Sequence, residues 1–303
     1  MLSRFAVYFD EAARHRSIRR ASEHLRIAPS AIDRQILKME EQLGVPLFVR
    51  LPQGLQLTAA GEMMVASIRR WRRELRSLEA QIDELRGLRR GEVTLALAEG
   101  SGDLAIRGLA LFRQRYPGIH CRMTVAASQE IVDLVLRGEV EIGLTFNPPD
   151  RRELRVERAM VYQIGAVMLP DHPLADQAST TLADCAAHPL VGPEAGHSLR
   201  VVLDRAWELQ LGTSPRFVAT ANSVSLIRSM VLGGIGLGLL TPIDVASELE
   251  QGLLRYVPLE GSNIPLSVLS LVTASGRPLS PPGSLLIRHF TAEAVEDARI
   301  LDC

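Results

Sequence analysis

Apolar residues at the start of the chain recur at helical spacing. Leu2, Phe5, Ala6, Phe9 and Ala13 fall on one face, which predicts an amphipathic helix lying on a small core. Ser17 stands where an N-cap belongs and predicts a second helix over residues 18–25. After the turn Arg26-Ile27-Ala28, Pro29 occupies a first-turn position, where its missing N–H costs nothing, and opens a third helix to about Leu43. In that helix Ile32, Ile36, Met39 and Leu43 share one face, while Ala31, Arg34, Gln35 and Lys38 share the other. Three short helices in this order are the helix-turn-helix plan. A small, polar outer face of this kind fits the major groove, where arginine pairs with guanine and glutamine with adenine.

Two short apolar runs, residues 47–51 and 55–57, flank Pro52-Gln53-Gly54 and predict a hairpin wing with Arg50 at its base, placed to meet a phosphate. From Thr58, an N-cap, the chain runs without proline to residue 88. Within it Met64, Ile68, Trp71, Leu75, Leu78, Ile82 and Leu85 are separated alternately by four and three residues, the a/d repeat of a dimerising coiled coil. The other reading is a single amphipathic helix packed on its own domain, although a strict 4-3 seam is narrower than such packing needs.

Beyond Gly91 the pattern alternates between strand-like runs (93–98, 120–126, 141–146) and amphipathic helical ones (103–115, 129–137), which predicts an α/β fold around a mainly parallel sheet. Residues 147–150, Asn-Pro-Pro-Asp, read as the crossing into a second α/β lobe, and residues 265–273 as the crossing back, with a C-terminal helix over 283–297 rejoining the first lobe.

The string SIRRASEHLRIAPSAIDRQILKMEEQLGVPLFVRLPQGLQLTAAGE resembles the winged helix-turn-helix of LysR-type transcriptional regulators, and the resemblance extends over the whole chain. It rests on LF-x-R at 47–50, LT-x-x-G at 57–61 and RQI-x-x-ME at 34–40. The resemblance implies a DNA-binding domain over 1–57, a dimerisation helix over 58–88 and a periplasmic-binding-protein-like effector domain over 92–303. Lobe 1 is then about 92–160 with 267–303, and lobe 2 about 161–266. It also implies a homo-oligomer, commonly a dimer of dimers and so a tetramer, that binds promoter DNA and a small metabolite. The DNA-contacting candidates are Ser17, Pro29, Ser30, Ala31, Asp33, Arg34, Gln35, Lys38, Arg50 and Gln53. Asp33 departs from the family, which usually has serine there. Its carboxylate either accepts from cytosine N4 or serves locally, as a cap or a partner of Arg34 or Arg20.

A net charge of −1 over 303 residues alone argues against a nucleic-acid binder, but its distribution along the chain points the other way. Residues 1–90 hold 17 basic against 11 acidic side chains, a net of +6, so the remainder nets −7. Three widely spaced cysteines, Cys121, Cys185 and Cys303, fit reduced thiols rather than a disulfide framework or zinc site. Without a signal-like h-region or a membrane-length apolar run, the expectation is a soluble, cytoplasmic protein.

Ligands of open α/β sheets approach the carboxyl ends of strands, beside helix N-termini. Three loops qualify: Glu99-Gly100-Ser101-Gly102, Ala127-Ser128-Gln129 and Thr220-Ala221-Asn222-Ser223. The family resemblance places effector contacts there, at Ser101, Gly102, Ser128, Asn222 and Ser223, and adds Asn147, Glu194 and His197. Hydroxyls, amides and helix N-termini of this kind favour a small anion, while Glu99 and Glu194 at the rim repel one or instead recruit a cationic or polyhydroxylated ligand. Taken singly, each serine or asparagine also reads as an ordinary helix cap.

The glycine-rich run at 233–242 lacks the spacing of a nucleotide loop and reads as a buried helix-to-strand turn. His172, His188 and His197, with Asp171, Asp184 or Cys185, show no metal-ligand or catalytic-triad pattern, so no enzyme, metal or cofactor is expected. A solute-binding protein would share the two lobes but needs a secretory signal, and residues 1–20 form a charged helix instead.

Overall fold

A computed structural model of the chain describes residues 3–85, 90–261, 266–292 and 299–300. Two compact units divide it, Met1–Gly91 and Glu92–Cys303.

The first unit is built from α1 (Arg4–His15), α2 (Ile18–Leu25), α3 (Pro29–Leu43), the strands β1 (Phe48–Leu51) and β2 (Gly54–Leu57), and α4 (Ala59–Leu85). The Ser17 hydroxyl accepts from the Arg20 amide at 3.3 Å and so starts α2. Phe5, Phe9, Ile32, Ile36, Leu47, Val65 and Ile68 form one buried core. Met39 packs on its edge, whereas Leu43 at the far end of the predicted apolar face is exposed, because α3 outruns the core there.

The three family motifs grip one another. Glu40 Oε1 accepts from the amides of Leu47 and Phe48 at 2.7 and 3.1 Å, tying α3 to the entry of the wing. Thr58 donates its hydroxyl to the Pro46 carbonyl at 2.7 Å while accepting from the Gly61 amide at 3.0 Å. A Cβ on Gly61 would lie 2.0 Å from the Leu47 carbonyl oxygen, so only glycine lets α4 pass this close to the wing. Gly54, with φ of +134°, likewise allows the hairpin to rest on the end of α1, where the Leu55 amide donates to the Arg16 carbonyl at 2.8 Å.

The coiled-coil seam divides along α4. Ile68 is fully buried and Met64 half-buried against the unit's own core, so these two serve the single-helix reading of the pattern. Trp71, Leu78 and Ile82 stand 48%, 51% and 41% exposed, with Leu75 half-buried between them. Residues 86–88 and the Leu85 side chain lie outside the described residues. Arg69 and Arg72 reach the buried Asp10 carboxylate at 3.0 and 2.7 Å and fasten α4 to α1.

The second unit runs β3 (Gly91–Leu97), α5 (Gly102–Arg115), β4 (Ile119–Val125), α6 (Ser128–Arg137), β5 (Ile142–Phe146) and β6 (Leu154–Gln163), and then enters a second lobe. There follow β7 (Gly165–Met168), α7 (Leu182–Ala186), β8 (Leu190–Pro193), α8 (Ser198–Leu211), β9 (Phe217–Ala221), α9 (Val224–Leu232), β10 (Leu237–Leu240), α10 (Ala246–Glu250) and β11 (Arg255–Pro258). The chain returns through β12 (Leu266–Ala274), α11 (Pro281–Ala292) and β13 (Arg299–Ile300). The first lobe's sheet has the order β13-β6-β12-β5-β3-β4, and the second's β11-β7-β10-β8-β9.

Both sheets are mixed rather than mainly parallel. β3 with β5, and β8 with β9 and β10, are parallel, as crossover helices require. β6 and β12 pair antiparallel because one carries the chain out of the first lobe and the other brings it back. The outward crossing is therefore at Ile164, fully buried in the second lobe's core, and not at residues 147–150. That stretch only joins β5 to β6 within one sheet. Its Asn147 takes a left-handed φ of 46° and spends its side-chain carbonyl on the Val268 amide at 2.8 Å, which turns the chain without leaving the lobe. The predicted C-terminal helix is seen to Ala292, and residues 293–297 of it lie outside the described residues. No described helix is long and apolar enough to cross a membrane.

Candidate functional site

On the first unit, Ser30, Arg34 and Lys38 are exposed along α3, with Ala31 and Gln35 half-buried beside them. Pro29 is exposed at the helix start, and Gln53 is exposed at the wing tip. Ser17 is half-buried and occupied as the α2 cap. Arg50, expected at a phosphate, instead holds Asp33: its Nη2 lies 2.5 Å from Asp33 Oδ1. Asp33 thus serves locally, but with the wing arginine rather than Arg34 or Arg20.

The second unit holds a cavity of about 650 Å³ between its lobes. Lobe 1 supplies Ala98 to Gly100, the turn from Val125 to Gln129, and Phe146 to Pro149. Lobe 2 supplies Gly196 to Leu199, Val201, Val202, Asn222, Val224, Thr241 and Asp244. Of the eight candidates, Ser128, Asn147, His197 and Asn222 line it. The other four do not. Ser101 is fully buried and donates its hydroxyl to the Ala98 carbonyl at 2.7 Å. Gly102 only begins α5, and Glu194 is exposed away from the cavity. Ser223 is consumed by Glu99.

Glu99 decides the electrostatics. Its carboxylate accepts from the Ser223 hydroxyl at 2.7 Å and from the Val224 and Ser225 amides at 2.8 and 3.4 Å, so a lobe 1 carboxylate occupies the N-terminus of a lobe 2 helix. Partial burial pushes its pKa up, yet the hydrogen bonds from Ser223, Ser225 and Val224 outweigh this and leave the carboxyl below its ordinary value. An effector anion therefore cannot use that terminus. Asp244, fully buried, closes a capping box with Thr241, whose amide and hydroxyl donate to Oδ2 at 2.9 and 2.7 Å. Burial raises its pKa against the opposing pull of those bonds. A Cβ on Gly100 would sit 1.9 Å from Asp244 Oδ1, which ties glycine at 100 to the approach of the two loops.

His197 is the N-cap of α8, its Nδ1 accepting from the Leu199 amide at 3.2 Å. Burial lowers its pKa, with Glu99 opposing, so the ring stays neutral as an acceptor must. By contrast, α6 starts at Ser128 with no side-chain cap, and its first turn faces the cavity. Among the described lining residues there is no lysine or arginine.

Thr241 and Asp244 escaped the sequence reading, although T-P-x-D, with proline at the first helical position, is itself a capping signal. The run before it is the expected helix-to-strand turn from α9 to β10, but residues 233–235 are exposed rather than buried, and burial begins only with β10 at Leu237. His172 and His188 stack edge to face at 4.6 Å, and burial pushes the Cys185 thiol up to about 11, the environment of an inert structural thiol.

Residues 4–62 match the family described as bacterial regulatory helix-turn-helix protein, lysR family, and residues 86–295 match the LysR substrate binding domain. The chain belongs to the LysR family. It is similar to the RuBisCO operon transcriptional regulator of Allochromatium vinosum, 29% identical over 94% of each chain. It is also similar to the regulator CbbR of Xanthobacter flavus, 28% identical over 93% of this chain and 85% of that one. Among solved structures, full-length CbnR complexed with its target DNA shares the fold at a TM-score of 0.67, 20% identity and coverage of 97% and 100%. As a LysR-type regulator the chain is a DNA-binding transcription regulator and not an enzyme, with promoter DNA and a small-molecule effector as its partners.

Proposed function

We propose that this regulator works in the cytoplasm as an oligomer paired through the exposed half of α4, with a pair of dimers as the DNA-bound form. Its α3 presents Arg34, Gln35 and Lys38 to base edges, and Ser17, Ser30 and the wing tip at Gln53 meet the backbone. Its effector is a small, largely apolar molecule with one hydrogen-bond-accepting head, either a neutral carbonyl or a single carboxylate.

The observation that carries the effector class is the cavity's charge. The described lining offers no lysine or arginine, while both of its carboxylates, Glu99 and Asp244, belong to the protein. A multiply charged anion would enter against them with no lysine or arginine in the described lining to pair with it. The uncapped start of α6 offers free amides to one acceptor, beside Ser128 and Asn222. Val125, Phe146, Pro148, Val201 and Val224 supply the apolar walls, and 650 Å³ lies within the range of small-molecule sites. The free energy of switching must come from the ligand's unequal affinity for two arrangements of the protein.

Calorimetry on the full chain tests this with a matched pair: an aromatic monocarboxylate and a phosphorylated sugar acid. The monocarboxylate is expected to bind with heat lost in Ser128→Pro, which removes an α6 amide. Tighter binding of the phosphorylated compound overturns the reading.

A further inference from the structure

A cluster of metal-ligand side chains lies far in sequence from the cavity. Glu11 and His15 are one helical turn apart on α1, and His24 faces them from α2. His15 Nε2 lies 3.3 Å and His24 Nε2 3.8 Å from Glu11 Oε2, and one ligand atom from each of the three falls within 4.8 Å of the others. Ligands about 2.0–2.1 Å from a tetrahedral zinc stand roughly 3.3 Å apart, so the first distance already matches and the others need a small closure.

Two further observations point the same way. Glu11 Oε2 and His15 Nε2 are sealed from solvent and make no hydrogen bond, since their mutual approach has the distance but not the alignment. Buried lone pairs without a donor are what a cation satisfies. In addition, Glu11 and His15 belong to the last turns of α1, and His24 to the last turn of α2, so two helix C-termini direct partial negative charge at the spot. Among the described residues Arg14 is ion-paired with Glu11 as well, 4.0 Å from its second oxygen on a largely exposed side chain.

We propose that Glu11, His15 and His24 bind one transition-metal dication, zinc or a similar ion, with a solvent molecule in the fourth position. Two imidazoles and one carboxylate select borderline metals over magnesium or calcium, which prefer all-oxygen sites. The ion staples the end of α1 to the end of α2, immediately before the turn at Arg26 that leads into α3. This site is independent of the effector reading.

The test uses tag-free, chelator-treated full-length protein titrated with Co2+ and then Zn2+. One Co2+ per chain is expected, with d–d absorption, no thiolate charge-transfer band, and displacement by Zn2+. His24→Gln alters a side chain more than half exposed, so the fold survives. It and Glu11→Gln should each weaken binding by more than about 100-fold, beyond the loss usual for an outer-shell partner. Zn2+ should raise the melting temperature of the wild type and not of the variants. No Co2+ uptake by the wild type, or an unchanged spectrum in His24→Gln, overturns the proposal.

Discussion

The pair between Asp33 and Arg50 shows how one side chain alters the DNA-facing surface. A carboxylate at this place subtracts from the phosphate attraction twice, through its own charge and by holding the wing arginine 2.5 Å away. Both are partly exposed, so the pair itself stabilises the fold little. Asp33→Ser is therefore expected to leave the melting temperature within about a degree or two, and to strengthen binding to DNA of any sequence. It should also steepen the salt dependence by about one unit as Arg50 gains a phosphate. Arg34→Ala, on the exposed face of α3, should instead erase the preference for the operator while sparing nonspecific binding. Gel shifts across a salt series on operator and random duplexes separate the two. At the cavity, Gly100→Ala drives a methyl onto Asp244 Oδ1, and thermal melts should show about 1–3 kcal/mol of lost stability in the effector unit.

At the scale of elements, α4 does two jobs along one stripe. Its first turns complete the core through Val65 and Ile68, and beyond them Trp71, Leu78 and Ile82 of the apolar seam are exposed, with Leu75 half-buried. Leu78→Asp is expected to yield monomers in sedimentation, with loss of tight operator binding, because it places an unpaired charge in the interface. Ile68→Ala should instead unfold the head, at about 2–5 kcal/mol. The 4-3 spacing was legible from Met64 to Leu85, but spacing alone cannot say which turns face the protein's own core. The bounds of α2 and α3 and the start of α4 were legible to the residue because Ser17, Pro29 and Thr58 act locally, whereas the Ser3 cap of α1 was not read. The mixed sheets and the true crossing at Ile164 were not, since strand direction is set by where the chain returns about 100 residues later. The cavity loops were legible from strand ends, whereas Glu99's capture of the α9 N-terminus is a long-range contact that no local pattern encodes. One cap has a pH signature. His197 accepts at Nδ1 and its pKa is lowered by burial, so its stabilisation is complete above the ordinary histidine value of 6.5 and is lost as pH falls from there through the lower folded value. His197→Asn keeps an acceptor without titrating, so pH-dependent melts should lose this component as pH falls below the ordinary histidine value of 6.5.

Across the whole effector unit, the bond between Glu99 and α9 is a latch from one lobe to the other. The cavity walls come from both lobes, so the fraction of molecules with the lobes held together sets the apparent affinity for the effector. Glu99→Gln keeps an acceptor at the helix start but removes the charge, and charged hydrogen bonds exceed neutral ones by about 1 kcal/mol. The expected result is a ligand Kd raised about 5-fold, with operator binding in the absence of ligand unchanged. The lowered pKa adds a sign that can be checked. A carboxyl held below its ordinary value of 4.5 contributes fully above that pH, and its contribution fades as pH drops through the folded value. Acid melts of the wild type should therefore show a loss of effector-unit stability below pH 4.5 that is smaller in Glu99→Gln. Identical acid profiles and identical Kd in the two proteins would mean that the lobes hold their spacing without the latch, through the β6 and β12 crossings alone.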